Sequence, residues 1–435
     1  MNAKRRTKRH LHRLAAPKPL WAALALGVLI AAPASAATTI EVFIRPNTSD
    51  EPIYAAIKQA FEASHPDIRI DYVRASFSDY WKKIPVLYAA DTAPDVIFPS
   101  TSYAVQYALQ GMLLPLDELA AQDHFDLNQY FAPIIDQYRV GGTLYALPND
   151  FAALAYIYNV DQFNEAGLTQ PQNGWSWAQF LAAATKLTQA DANGKVTRFA
   201  TTWPYTTPFI WSASGSNFFD DELWPSKFLL DSPAGFEGAQ FLQDLRWRYH
   251  VAPRPGEKAD FVHGTAAMQT LGHWTIPSML QQASFKWNLV SLPVDRYAVQ
   301  RKDGSGWSIM KNSKHIKEAW AFVKFIAGPE GEKLQAGLQF ITPAQKAAAA
   351  SSDWRDIPGH PDVSQDAFVA GLEHAFNNYI LTNPRADAFN KLINPALNKV
   401  FNNQATPKGA IAAIAPAVNE LLAQVQADKA KRQGN

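Results

Sequence analysis

The chain has 435 residues and no cysteine, and 40 Lys+Arg against 39 Asp+Glu give it a formal charge of +1. That length exceeds what one hydrophobic core usually serves, and a 47% apolar content is that of a globular protein, so two domains or lobes are expected and a disordered chain is excluded. Without cysteine there are no disulfides, Cys-ligated zinc, iron–sulfur clusters, thiol catalysis or lipid-modified N-terminal Cys.

Residues 1–36 read as a targeting segment and not as part of a fold. Lys4, Arg5, Arg6, Lys8, Arg9, Arg13 and Lys18 carry no acidic neighbour, and the apolar run from Leu20 to Ala32 follows. That run is shorter than the roughly 20 residues that span a bilayer, and Ala34 and Ala36 occupy the small-residue positions of a secretory cleavage site. Cleavage after Ala36 is therefore expected. Arg5-Arg6 fits a twin-arginine signal, but the polar residues behind it favour the general secretion route. With no Cys to anchor it, the exported chain is expected to be soluble in a periplasm. It keeps 33 basic and 39 acidic residues, a formal charge of −6, which argues against nucleic acid and anionic membrane surfaces as partners.

The remaining chain opens with a predicted strand through Ile40, Val42 and Ile44. A helix with Asp50 as cap and Pro52 in its first turn follows, then a strand through Ile68, Ile70 and Tyr72. Another helix around Tyr80–Ala90 leads to the apolar PDVIF, a buried parallel strand. This β-α-β-α-β order opens an α/β sheet, whose ligands sit beyond the carboxyl ends of its strands, here Arg45–Asp50, Ala75–Asp79 and Ser100–Tyr103. Two strand-like runs flank Pro148-Asn149-Asp150, and DQFNEAGL is a short helix. Ser176 and Gln179 form a capping box before Phe180, Leu181, Ala184 and Leu187. Residues Trp203 to Pro225 read as an irregular aromatic stretch, followed by helices near Ala234–Tyr249 and Gly264–Gly272. FKWNLVSLP gives a strand and RKDGSGWSIM a glycine-rich bend into another; beyond residue 315 the chain is mostly helical.

No G-x-S-x-G, H-E-x-x-H, Walker A loop or dinucleotide-binding glycine pattern is present. Gly304-Ser305-Gly306 lacks the third glycine and following helix of a phosphate cradle, and His263 and His273 stand ten residues apart, too far for a helical metal pair. Asp220-Asp221-Glu222 has no calcium-loop spacing around it. No catalytic set assembles, so no enzyme activity, cofactor or metal is expected. The positive signal is aromatic. Of 13 Trp, several sit beside Pro, Gly, Ser or Thr and off helix-core spacing: Trp203, Trp211, Trp224, Trp274 and Trp307, with Tyr205. Sugars need flat rings against their C–H faces and charged or amide groups on their hydroxyls, so the collection reads as a ligand cleft.

Several segments in order resemble the family 1 extracellular solute-binding proteins of ABC importers, the group that includes maltose-binding protein. They are IEVFIRPNTSDEPIYAAIKQAFEASHPDIRIDYV, AADTAPDVIFPS, LYALPNDFAALAYIYNVDQFNEAGL with GWSWAQFLAAATKLT, HGTAAMQTLGHW, and GSGWSIMKNSKHIKEAWAFVKFIAGPEG. The resemblance implies an α/β two-lobe periplasmic-binding-protein fold of type II, with the ligand cleft between lobes joined by a multi-segment hinge. By the same analogy the crossings fall near Pro148-Asn149-Asp150, Gly304-Ser305-Gly306 and Thr342–Lys346. The lobes are then 37–149 plus 307–345 and 150–306 plus 346–435. The implied function is capture of a carbohydrate, a di- or oligosaccharide, by a monomer that delivers it to an inner-membrane permease with a separate ATPase. The alternatives are a polyol phosphate or other polar solute, and an exported carbohydrate-active enzyme. Position by position the resemblance ranks Trp274 and Asp150 first as ligand-binding residues, then Arg45, Asp79, Thr101 and Ser102. Trp203, Tyr205, Asn217, Gly306, Trp307 and Arg385 follow.

Overall fold

The computed structural model describes residues 37–46, 50–377, 383 and 385–433, so the expected signal segment lies outside the described residues. Strands β1 (Thr38–Ile44), β2 (Ile68–Arg74) and β3 (Val96–Ile97) alternate with helices α1 (Glu51–Ser64) and α2 (Phe77–Ala89), and α3 (Thr101–Leu109) follows β3. In β1 both faces are covered: Ile40, Val42 and Ile44 are wholly buried on one, Phe43 on the other. Ile53, Ile57 and Phe61 recur at helical spacing along the buried side of α1, each contributing about 1.5–3 kcal/mol of apolar transfer. The first sheet is completed by β4 (Leu147–Pro148) and the distant β10 (Gly306–Ile309), in the order β2-β1-β3-β10-β4. β1 runs parallel to β2 and β3, whereas β10 is antiparallel to both β3 and β4.

The second sheet has the order β9-β5-β8-β7-β6, built from β5 (Leu154–Asn159), β6 (Gln189–Ala190), β7 (Val196–Thr201), β8 (Ala266–Gly272) and β9 (Trp287–Val290). All six residues of β5 are buried, as a central strand covered on both faces requires. The capping box forms as read from the sequence: Ser176 and Gln179 satisfy each other's backbone N–H at the start of α4 (Trp177–Leu187).

Two elements differ from the sequence reading. Residues Ala266–Gly272, expected as a helix, are the β8 strand, paired to β5 on one side and β7 on the other. A strand buried on both faces loses the alternation that would have marked it. Inside the stretch expected to be irregular, Thr207–Ser214 forms helix α5, started by Pro208 in its first turn and ended by the left-handed Gly215 (φ 66°). The two runs around Pro148-Asn149-Asp150 do not pair with each other; β4 belongs to the first sheet and β5 to the second. That segment is a crossing between lobes.

The three segments expected as crossings lie side by side. Isolated bridges join Asp150 to Pro343 and Ser100 to Ser305, and the Asn149 N–H donates to Ser305 O at 2.9 Å. Phe151 N–H donates to Thr342 O at 3.3 Å. Gly304 permits this closeness, because a Cβ there would stand 2.2 Å from the Asp150 carbonyl oxygen. The chain passes between the lobes as a laced ribbon of extended segments, which can absorb the dihedral changes of a hinge.

Candidate functional site

The floor of the site is the crossing ribbon itself. The Ser305 N–H donates to Asp150 Oδ1 at 2.7 Å, and Arg45, at the carboxyl end of β1, donates through Nη2 to Ser305 Oγ at 2.6 Å. One serine thus ties a carboxylate of the first crossing to a guanidinium of the first lobe. Asp150 is partly buried, and burial pushes its carboxyl up to about 6, although the Ser305 N–H and the Arg45 charge pull the other way. Thr101 is buried at the same place: its N–H donates to Gly304 O, and its hydroxyl accepts the Gly304 N–H at 3.1 Å. Gly306 N–H donates to Pro99 O, and Trp307 is buried with its indole N–H on Asn149 Oδ1 at 2.8 Å. Thr101, Gly306 and Trp307 therefore spend their polar groups within the ribbon.

The first lobe adds an aromatic wall. Arg45 Cζ lies 5.0 Å from the Trp81 ring centre, 5.1 Å from Phe98, 5.6 Å from Phe77 and 5.9 Å from Tyr80. Four ring faces hold one cation, an arrangement that stabilises its charge. Trp81 stacks flat on Tyr103 (centroids 4.1 Å, planes 3° apart), and Phe77 is 67% exposed beside it. Burial first, and the charge of Asp387 second, raise the Tyr103 hydroxyl's pKa, so a residue of the C-terminal helices lies within electrostatic reach of this wall. Asp79 is exposed in the first turn of α2, where its carboxylate accepts from Ser76 Oγ at 2.9 Å. Ser102 is partly buried, 3.5 Å from Ser100 Oγ. Phe77, Trp81 and Tyr103 were not singled out from the sequence, although Phe77 and Tyr103 fall in the windows marked behind β2 and β3. The i, i+4 spacing of Phe77 and Trp81 was the available signal.

On the second lobe, Trp274 stands at the end of β8 and is 44% exposed. Its turn is fixed from below: His273 N–H donates to Ala153 O at 3.3 Å, and Thr275 Oγ1 donates to Gly272 O at 2.8 Å. His273 itself is buried under Trp354 and Phe368, and burial holds its imidazole down at about 4, hence neutral. Tyr205 is 39% exposed; its N–H donates to Thr270 Oγ1 of β8, and it lies within electrostatic reach of Arg301, which pairs with Asp303 on the second crossing. Trp203 is turned inward, covered by the Arg246 guanidinium at 3.4 Å and by Phe401. Asn217 is buried, bonded to Asn377 O. Arg385 is committed to Asp428 (2.8 Å) and Gln424 (2.9 Å) of the C-terminal helix. The structure thus brings Trp274, Tyr205, Asp150 and Arg45 to the ribbon and its edges, packs Trp203 and Arg385 elsewhere in the second lobe, and sets Asn217 in the lining of a cavity.

A cavity of about 580 Å³ is lined by Gln137 and Arg139 on one side and by Asn217, Asp220, Glu222, Lys302 and Asn377 on the other. Its carboxylates already have partners: Asp220 accepts N–H groups of Ser226 and Lys227, Asp221 that of Trp224, and Glu222 faces Lys302 at 3.5 Å. It contains none of the exposed rings, so the aromatic surface and not this cavity is the candidate site. Among the described residues no cluster of three or more His, Cys, Asp or Glu is placed to hold a metal ion.

Residues 46–333 match the family model of the bacterial extracellular solute-binding proteins. The chain belongs to this family. In this solute-binding protein the laced segments and exposed rings belong to a binding device. It is 26% identical over 343 residues to the maltotriose-binding protein of Pyrococcus abyssi, covering 74% of this chain and 69% of that one. The arabinooligosaccharide-binding protein of Bacillus subtilis is 23% identical over 312 residues, 68% of this chain and 71% of the relative. Among solved structures, the ABC substrate-binding protein Lmo0181 of Listeria monocytogenes in complex with cycloalternan superposes with a TM-score of 0.75 at 23% identity, over 89% of this chain and 99% of that one. The GacH receptor of Streptomyces glaucescens does so with a TM-score of 0.72 at 20% identity, over 89% and 98%. The two-lobe fold is common to this chain and these solved structures.

Proposed function

We propose that this protein is the carbohydrate-capturing component of an ABC importer. It takes a di- or oligosaccharide between its lobes, 37–149 plus 307–345 and 150–306 plus 346–435, and presents the closed form to a membrane permease powered by a separate ATPase. The observation that carries this reading is the pairing of exposed rings, Trp274, Tyr205 and Phe77, with a fixed polar floor of Asp150, Ser305 and Arg45. Rings cover the C–H faces of a sugar, while a carboxylate and a guanidinium grade its hydroxyls. Relatives named for maltotriose and arabinooligosaccharides support the same ligand class. The protein acts without catalysis, as a monomer, in the periplasm after cleavage behind Ala36. A phosphorylated polyol has less support, because Arg385, one of the two cations available for it, is already paired to Asp428.

A thermal-shift screen over neutral oligosaccharides, monosaccharides and polyol phosphates tests the reading. A sugar at 100 times its Kd should add about 2.7 kcal/mol of stability. A shift with polyol phosphates alone, or turnover of a bound sugar, would replace it.

A further inference from the structure

Gly272 presents a choice between two reasons for a glycine, and the geometry separates them. The first is backbone conformation, and it does not apply: φ −97° and ψ 152° are extended values that any residue adopts. The second is space. A Cβ on residue 272 would lie 2.0, 2.1 and 2.4 Å from Cη2, Cζ3 and Cζ2 of Trp274, where carbon atoms normally approach to about 3.5–4.0 Å. The six-membered end of the indole rests directly on the Gly272 Cα.

Among the described glycines with ordinary φ, Gly272 is the one where a Cβ would come well inside 3 Å of side-chain atoms alone. Gly304, Gly235 and Gly331 would drive a Cβ into backbone, so a side chain there would disturb the fold. Gly215 meets the Tyr297 ring but has φ +66°, a backbone reason of its own. At Gly272 the conflict is with the outer edge of one half-exposed side chain, which is free to swing into solvent. The surrounding backbone is held by the pairing of Gly272 with Leu154, by His273 N–H on Ala153 O and by Thr275 Oγ1 on Gly272 O. Under a new methyl group the ring gives way and the chain does not.

We infer that Gly272 is a positioning residue for ligand capture: its missing side chain is the seat on which the Trp274 indole lies flat, one face covered and the other offered to the ligand. The inference rests on the proposed role of Trp274 as a sugar platform. A seated ring has already lost its rotamer freedom, so binding does not have to order it. Gly272→Ala keeps every atom of Trp274 and removes only its orientation.

The test reads the seat and the platform separately. The first readout is acrylamide quenching of Trp274 in the ligand-free protein, taken as the difference between each protein and its Trp274→Phe counterpart. Gly272→Ala should raise that quenching while the thermal midpoint of unfolding stays near that of the unsubstituted protein. The second is the Kd for maltotriose, which should rise about tenfold in Gly272→Ala, corresponding to about 1.4 kcal/mol, and should show no further change when Gly272→Ala is added to Trp274→Ala. Unchanged quenching overturns the seat whatever the ligand does. Raised quenching with the maltotriose Kd unmoved in both Gly272→Ala and Trp274→Ala overturns the platform reading instead. An additive loss in the double variant would show that Gly272 acts by a route other than the ring.

Discussion

On the first lobe the rings beside the crossing ribbon are packed against one another: Trp81 is 8% exposed, stacked on Tyr103, and its face also holds Arg45. On the second lobe Trp274 and Tyr205 stand 44% and 39% exposed, each fixed by a backbone turn and not by neighbouring rings. Apart from Phe77, which stays 67% exposed, the first wall is packed before ligand arrives, and its aromatic area already contributes to folding. The second holds apolar area that only a ligand, or closure, removes from water. On the proposed reading the same residue type serves stability on one side of the site and affinity on the other.

The largest effect that can break this contrast is at Trp81. Trp81→Ala removes a buried ring, the stacking partner of Tyr103 and one side of the Arg45 cage, and should cost about 3–5 kcal/mol in a denaturant titration. If it left stability intact and only weakened binding, the two walls would be alike. Trp274→Ala should do the converse, weakening sugar affinity about ten- to hundredfold from the roughly 1.5–3 kcal/mol of covered ring, with little change in the denaturation midpoint. Calorimetric titration separates the two.

A smaller effect concerns the floor between the walls. The folded-state carboxyl of Asp150 sits at about 6, above its ordinary value, chiefly through burial. Its contribution to stability is full at pH values below the ordinary carboxyl range and is lost as pH rises through about 6. Buried Glu332, raised by burial and further by the charge of Asp150, acts in the same direction. Asp150→Asn should flatten this fall between about pH 4 and 6, measured by thermal unfolding across pH. His273 opposes it: held at about 4 by burial, it contributes stability above its ordinary range that is lost as pH falls from about 6.5 toward 4. The smallest expected effect is at Arg385. Arg385→Gln breaks the partly exposed pair with Asp428 and should leave sugar affinity unchanged in the same titration.

Much of this was readable in the chain because the responsible forces are local. Alternating Ile40, Val42 and Ile44, the Pro52 helix start and the Ser176–Gln179 box each specify a short element, and each forms. The β8 strand was misread as a helix because Ala266–Gly272 is buried on both faces and carries no period. For single aromatic residues, flanking Gly, Ser or Pro does not tell exposed from packed: Trp274 is open, whereas Trp307 and Trp203 lie in close ring and cation contacts. The Trp81–Tyr103 stack and the Arg45 cage join residues that only the β1-β2-β3 topology brings together. The seat at Gly272 was present in the G-x-W spelling, but its reason appears only when the indole is seen lying on the Cα.

On the proposed reading a sugar is held between two lobes that close on it across the crossing ribbon. Small-angle X-ray scattering of the exported protein, with and without saturating maltotriose, addresses it most directly. The radius of gyration should fall with the sugar, and the fall should be lost in Trp274→Ala at the same sugar concentration. Saturating binding with an unchanged radius of gyration would contradict it.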